Sequence, residues 1–194
     1  DRLNNILEDY LVYTRSRSQE PKDWDPAVIV EEVLSVVKGH PRIRKDIRLH
    51  WYPGEGKSLV CVEDQKIRQV LLNILQNAME AMPKGGDLTL RLSLAGTAPP
   101  GAEPSGKISP LGEWVRLDIE DTGEGMPQEI LDRLYEPFFT TKQNGHGIGL
   151  ALCRRIVENH QGFLDVRSEA GKGTVFSVYL PVAPEMLRSR NRSG

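Results

Sequence analysis

Apolar residues recur along this chain with two periods, one near 3.6 and one of two, and the switches between them mark out the elements. Leu3, Ile6, Leu7, Tyr10, Leu11 and Tyr13 fall at helical spacing with Asn4, Asn5, Glu8 and Asp9 opposite, which predicts an amphipathic helix whose stripe lacks a local partner. A polar stretch, Ser16 to Lys22, leads to a new helix start, where Asp25 can cap and Pro26 can occupy the first turn. Ile47 to Trp51 and Leu59 to Val62 read as short strands flanking a turn at Pro53, Gly54 and Gly56. A long helix is expected from about Gln65 to Ala81, its stripe being Ile67, Val70, Leu71, Ile74, Leu75 and Ala78. Gln69, Asn73 and Asn77 then stack at four-residue steps on a different face.

Two period-two segments follow, Leu88 to Leu94 and Val115 to Ile119, each reading as a strand with one covered face. The Gly- and Pro-rich stretch between them, Ala95 to Glu113, reads as a hairpin loop without a core of its own. A helix from about Ile148 to His160, a strand near Leu164 to Ser168 and a strand Val175 to Leu180 stopped by Pro181 complete the pattern. Beyond Pro184 the Arg- and Ser-rich tail is expected to be disordered. The mixed order implies a two-layer α/β sandwich, a mixed sheet covered on one face by helices and preceded by the amphipathic helix.

Composition narrows the function classes. With 194 residues at 39% hydrophobic, the chain can bury one ordinary core plus appendages. A formal charge of −2 advertises no affinity for nucleic acid, so any anion must be held locally. Cys61 and Cys153, each within an apolar run, are expected to be reduced thiols packed in a cytoplasmic core. The chain opens on Asp1 and Arg2 without an apolar leader, and no apolar stretch approaches the roughly 18 residues of a membrane helix. A soluble, cytoplasmic chain with no membrane contact of its own is therefore expected, any anchor lying elsewhere in a parent protein.

The candidate chemistry is concentrated around glycines. In Asp121-Thr-Gly123-Glu-Gly125-Met126, directly after a strand, glycines let backbone approach a planar ligand and the carboxylate can accept from an exocyclic amine; a plain turn is the alternative. Gly145-His-Gly147-Ile-Gly149-Leu150 opens a helix, where free N–H groups form a phosphate site without net positive charge. A dinucleotide-binding turn would need a strand immediately before those glycines, whereas Phe138, Phe139, Thr140, Thr141 and Lys142 precede them in a loop. The amides of Asn73 and Asn77 are serviceable ligands for a hard cation such as Mg²⁺, or form a solvated helix face.

The order NILQNAMEAM, DTGEGM, PFFTTK, GHGIGL and GKGTVFSVYLP resembles the N, G1, F and G2 boxes of sensor histidine kinases, members of the ATPase superfamily shared with gyrase, the Hsp90 chaperones and the MutL repair proteins. The resemblance covers about Asp25 to Pro181 and implies the Bergerat ATP-binding fold. It implies domains at 21–183, for ATP binding, and 1–20, similar to the second helix of the dimerisation and phosphotransfer hairpin, with residues 184–194 as a tail. By resemblance, Asn77 is the Mg²⁺ ligand, Asn73 its neighbour at the phosphates, and Asp121 the acceptor for the adenine amine. Gly123, Gly125 and Met126 shape the adenine side. Phe138 and Phe139 are similar to the hydrophobic anchor of the ATP lid, a segment running from Pro127 to Gly145. Thr141 and Lys142 lie at the phosphates, and Gly145, His146, Gly147, Ile148, Gly149 and Leu150 close over them. Thr174 resembles the threonine that supports the aspartate. Glu80 stands where many family members carry a lysine, so Lys142 inherits that cationic role. Gly162, after Gln161, is expected to supply the left-handed helix cap.

The activity so implied is ATP-dependent protein histidine kinase, with a response regulator receiver domain as partner and a homodimeric parent. An ATP hydrolase is the alternative from the same superfamily, and a silent nucleotide-binding module a third. The hydrolases carry a glutamate at the position of Asn73, and an amide cannot take a proton from water. None of His40, His50, His146 and His160 is followed by the acidic residue and asparagine-proline that the family places after its phosphorylated histidine. The acceptor is accordingly expected outside this sequence.

Overall fold

Asp25 accepts a hydrogen bond from the Ala27 N–H at 2.9 Å, and Pro26 follows as the first helical residue, so the first described helix begins where the capping signal places it. The computed structural model describes residues 20–40, 43, 46–54, 58–96, 113–141 and 147–183. Within them run β1 (Lys22–Trp24), α1 (Pro26–Val37), β2 (Ile47–Tyr52), β3 (Val60–Val62), α2 (Asp64–Ala81), β4 (Gly86–Ala95), β5 (Trp114–Asp121), the short α3 (Gln128–Leu131), α4 (Gly149–Asn159), β6 (Phe163–Glu169) and β7 (Gly173–Pro181). The expected helix of Leu3 to Tyr13, most of the Ala95 to Glu113 loop, Lys142, Gly145, His146 and the tail lie outside the described residues.

A five-stranded sheet in the order β2-β4-β5-β7-β6 carries the fold, with β2 parallel to β4 and the other neighbours antiparallel. Because side chains alternate along a strand, the register assigns Leu88, Leu90, Leu117, Ile119, Phe176, Val178, Leu180 and Leu164 to one face. All are buried, and α1, α2 and α4 pack above them. The opposite face is polar, with Arg91 paired to Glu120 at 2.9 Å and Arg116 to Asp118 at 2.8 Å. The two-layer sandwich expected from the alternation is the architecture found. Among the described residues no helix is long and apolar enough to cross a membrane.

Two expectations need correction, at Cys61 and at Gly162. The strands that flank Pro53 belong to different sheets: β2 joins the main sheet, while β3 pairs with β1 in a separate two-stranded sheet. That pairing buries Val60 and Val62 beside the end of β7, where Val60 bridges Val182. The same alternation turns Cys61 outward, so only Cys153 is a core thiol, its pKa pushed up to about 12 by burial. The left-handed residue ending α4 is Gln161 at φ 58° and not Gly162. Gln161 donates to the Glu158 carbonyl and Gly162 to the Val157 carbonyl, both at 2.9 Å, which is the Schellman pattern with glutamine in the usual glycine position. Gly162 is needed for space instead, because a Cβ there would overlap the Tyr179 carbonyl.

His160 ties the two long helices together. Its Nδ1 lies 2.7 Å from the Ile156 carbonyl and its Nε2 3.0 Å from the Glu63 N–H at the start of α2. One neighbour can only accept and the other only donate, so the ring carries its proton on Nδ1. Glu63 makes no side-chain cap of its own, and the histidine substitutes for one from across the fold. Replacing His160 with phenylalanine leaves the half-buried Glu63 N–H without its acceptor and the Ile156 carbonyl with only the residue-160 N–H at 3.2 Å, and urea unfolding should show a loss of about 1–3 kcal/mol. A change below about 0.5 kcal/mol would mean that water replaces the ring without penalty.

Candidate functional site

One helix positions most of the candidate residues. The interior stripe of α2 is buried from Ile67 to Met79, which leaves Asn73 and Asn77 half-buried on the neighbouring face. Asn77 Nδ2 donates to Asn73 Oδ1 at 3.0 Å, and because this bond uses the nitrogen of Asn77, its oxygen is the atom that would ligate a cation. Among the described residues no group of three or more His, Cys, Asp and Glu could hold a metal. A cation here would therefore rest on amide oxygen and on the ligand's own phosphates, a donor set that Mg²⁺ accepts because it keeps much of its water.

The second glycine cluster meets the same helix. Gly149 is the first residue of α4, and its Cα lies so near Asn73 that a Cβ would overlap the Asn73 amide. The α4 start has no side-chain cap and lies beside Asn73 through Gly149; uncapped helix N–H groups are the donors that an anion would use. Gly147, at φ 66°, accepts from the Phe138 N–H at 2.9 Å and so closes the two ends of the intervening segment. Leu150 packs against the core.

The first cluster meets the far end of α2. Glu124 N–H donates to the Ala81 carbonyl at 2.9 Å, and Thr122 is clasped to Asp87 through Thr122 N–H to the Asp87 carbonyl at 3.2 Å and Asp87 N–H to Thr122 Oγ1 at 3.0 Å. From Asn73 to Ala81 is about 12 Å along the axis at 1.5 Å per residue. The three clusters are thus strung along one helix, the second meeting it at Asn73 and the first at Ala81.

Asp121 stands on the sheet side of this turn, as the last residue of β5. It is only 4% exposed and accepts the Gly123 N–H at 2.8 Å, with the Thr174 N–H also bonded to its carboxylate. Burial holds this carboxyl above its usual pKa, although the two N–H donors pull the other way. Thr174 faces Asp121 in the ladder between β5 and β7, so it touches the aspartate through backbone, while its hydroxyl lies 2.9 Å from Ser168 Oγ. Gly125, at φ 63°, leaves no space for a side chain against the Glu169 carbonyl. Met126 packs against the core and donates its N–H to Ser168 at 2.8 Å.

The lid segment departs from expectation at Phe138. That ring is 76% exposed and its backbone is left-handed at φ 69°, so it does not anchor the segment. Leu134, which is buried, and Tyr135 provide the anchor instead, and Phe139 is half-buried beneath Arg133, whose guanidinium lies 4.1 Å from the ring centroid. The Phe138 N–H is bonded to the Gly147 carbonyl. Thr141 is exposed. Ser168 was the residue that sequence reasoning missed; its only signal was its place on the covered face of a strand next to a glycine-rich turn.

Comparison with known proteins identifies the family and the fold. The family model for the histidine kinase-, DNA gyrase B-, and HSP90-like ATPase matches residues 62–184. Sporulation kinase C of Bacillus subtilis (strain 168) is 42% identical over 181 residues, which is 93% of this chain and 39% of that protein. Sensor kinase CckA of Brucella abortus (strain 2308) is 32% identical over 191 residues, 97% of this chain and 20% of that one. The chain thus spans between a fifth and two fifths of these relatives. Among solved structures, the nucleotide-free catalytic domain of the histidine kinase ThkA matches with a TM-score of 0.67 at 27% identity, over 86% of this chain and 99% of that one. ThkA in complex with the response regulator protein TrrA matches with a TM-score of 0.66 at 27% identity, over 95% of this chain and 48% of that one.

Proposed function

The chain belongs to the histidine kinase-, DNA gyrase B-, and HSP90-like ATPase family, as an ATP-binding catalytic domain of the sensor histidine kinase type, and from that premise we propose how it works. It holds MgATP along α2, adenine toward Asp121 and phosphates toward the start of α4, and passes the γ-phosphoryl group to a histidine on another helix for relay to a response regulator. In this reading the parent protein is homodimeric and this domain lies in the cytoplasm, any membrane anchor belonging to another part of the parent.

The observation that carries the proposal is the contact of Asn73 with both Asn77 and Gly149. It places two neutral amides by the uncapped start of α4, which suits positioning and charge neutralisation and offers no base. Asn77, with Asn73 beside it, would hold Mg²⁺, and a bound Mg²⁺ would neutralise charge on the phosphates. The N–H groups of α4 orient the phosphate chain, and Lys142 adds positive charge. Asp121 accepts the adenine amine, and the Gly123 to Met126 turn forms the wall beside the base. Glu80 bonds to Gln76 on the exposed side of α2 at 3.0 Å, so it does not replace the missing hydrolytic carboxylate.

Two of the described histidines, His50 and His160, are poor acceptors. His160 is buried with both nitrogens engaged, and His50 Nε2 is held by Asp87 at 2.8 Å. Beside the phosphate end, Phe138, Ile148 and Leu152 are exposed, an apolar surface suited to receiving an incoming helix. Incubation of the chain with γ-labelled ATP should give no acid-labile phosphate on the chain and ATP turnover near background. Adding a helical hairpin that carries the acceptor histidine should produce label on the hairpin. Robust labelling of the chain itself would contradict the proposal, and turnover of about one per second or more would favour a hydrolase.

A further inference from the structure

The β6–β7 turn braces the proposed adenine side of the site at several points. Gly171 N–H donates to the Glu124 carbonyl at 2.7 Å, and Gly125 lies directly against the Glu169 carbonyl. Ser168, the last covered-face residue before this turn, makes three polar contacts: Met126 N at 2.8 Å, the Gly173 carbonyl at 2.9 Å and Thr174 Oγ1 at 2.9 Å. Only one arrangement of protons satisfies all three. Ser168 donates to the carbonyl, which can only accept, and receives from the Met126 N–H and the Thr174 hydroxyl. A serine hydroxyl has one proton and two lone pairs, so this group is saturated and has no capacity left for a ligand.

Through Thr174 the same hydroxyl connects to the residue whose N–H bonds Asp121. One oxygen therefore fixes, from outside the site, both the turn that flanks the base and the strand residue that orients the carboxylate. We propose that Ser168 is a positioning residue for base recognition, holding the Gly123 to Met126 turn and Asp121 in the spacing that reads the adenine amine without touching the nucleotide itself. The inference rests on the nucleotide reading above and adds a residue to it. Its effect is expected at the base, because the groups that Ser168 holds belong to the turn after β5 and to the start of β7, whereas Asn73 meets Gly149 between α2 and α4.

Ser168→Ala removes the hub, and Ser168→Thr retains the hydroxyl. Equilibrium binding of ATP and of inosine triphosphate, which lacks the exocyclic amine, with Mg²⁺ present, separates base recognition from general damage. In Ser168→Ala, affinity for ATP should fall about ten-fold and the preference for ATP over inosine triphosphate should shrink by a similar factor. Competition by tripolyphosphate should be unchanged. Phosphotransfer to the hairpin should show the loss in KM with kcat retained at saturating ATP. Ser168→Thr should recover most of the ATP preference. Amide exchange of residues 123–126 in Ser168→Ala should quicken, whereas that of α2 should not. Unchanged ATP preference in Ser168→Ala, or an equal loss for ATP, inosine triphosphate and tripolyphosphate, overturns the positioning role. Failure of the wild-type chain to bind ATP at all overturns the nucleotide reading and the role together.

Discussion

Asp121→Asn should weaken ATP binding by about 1–3 kcal/mol while leaving the preference of ATP over GTP blunted, measured by titration calorimetry with Mg²⁺. The carboxylate already accepts the Gly123 and Thr174 N–H groups, so an asparagine must either aim its NH₂ at one of those donors or withdraw its oxygen from the base. Either choice removes an acceptor from a position that is 4% exposed, where water cannot substitute. A pH titration gives a second reading. Burial holds the Asp121 carboxyl above its usual pKa, and the ionised form is the acceptor, so wild-type affinity should decline on acidification at a pH above that of an ordinary aspartate, ~3.9. The asparagine variant should lack that step. In the free protein the sign is opposite: the folded state holds this proton more tightly than the unfolded chain, so the contribution to stability declines as pH rises through the raised value. Unaltered ATP affinity and nucleotide preference in the variant would remove Asp121 from the site.

Gly149→Ala should damage the phosphate end of the site. The added Cβ overlaps the Asn73 amide, so either Asn73 swings away and breaks its bond to Asn77, or α4 moves off α2. Overpacking of this kind costs about 1–3 kcal/mol. Most of it should appear as lost Mg²⁺-dependent ATP affinity, since the buried core residues of α4, Cys153, Ile156 and Val157, lie farther along the helix. Thermal unfolding with and without MgATP distinguishes the two responses: the ligand-induced rise in Tm should largely vanish while the ligand-free Tm falls by only a few degrees. A full ligand-induced rise in Tm would show that the start of α4 does not contact the phosphates.

The elements that were legible in the sequence are those whose signal is local. Asp25 and Pro26 announce α1, the Ile67 to Ala78 stripe announces α2, and the alternation from Leu88 to Leu94 announces β4, because capping and periodicity are properties of adjacent residues. The glycine clusters were legible for the same reason, and spacing along α2 already placed Asn73 and Asn77 on a common face. Pairing partners were not legible. β1 and β3 are brief, and their pairing is decided by burial of Val60 and Val62 beside β7 and not by the turn that precedes β3.

By itself, then, the sequence determined the two-layer class, the order of elements and the groups able to meet a nucleotide, because hydrophobic period and residue chemistry are written along the chain. Tertiary structure alone decided three further matters. Phe138 faces outward while its N–H bonds the Gly147 carbonyl. His160 caps α2 although 97 residues separate it from Glu63. Ser168 joins Met126 to Thr174 because β6, β7 and the turn after β5 converge at one end of the sheet. Each is a contact between segments distant along the chain, and a bond of that kind leaves no period, cap or spacing at either end from which it can be read.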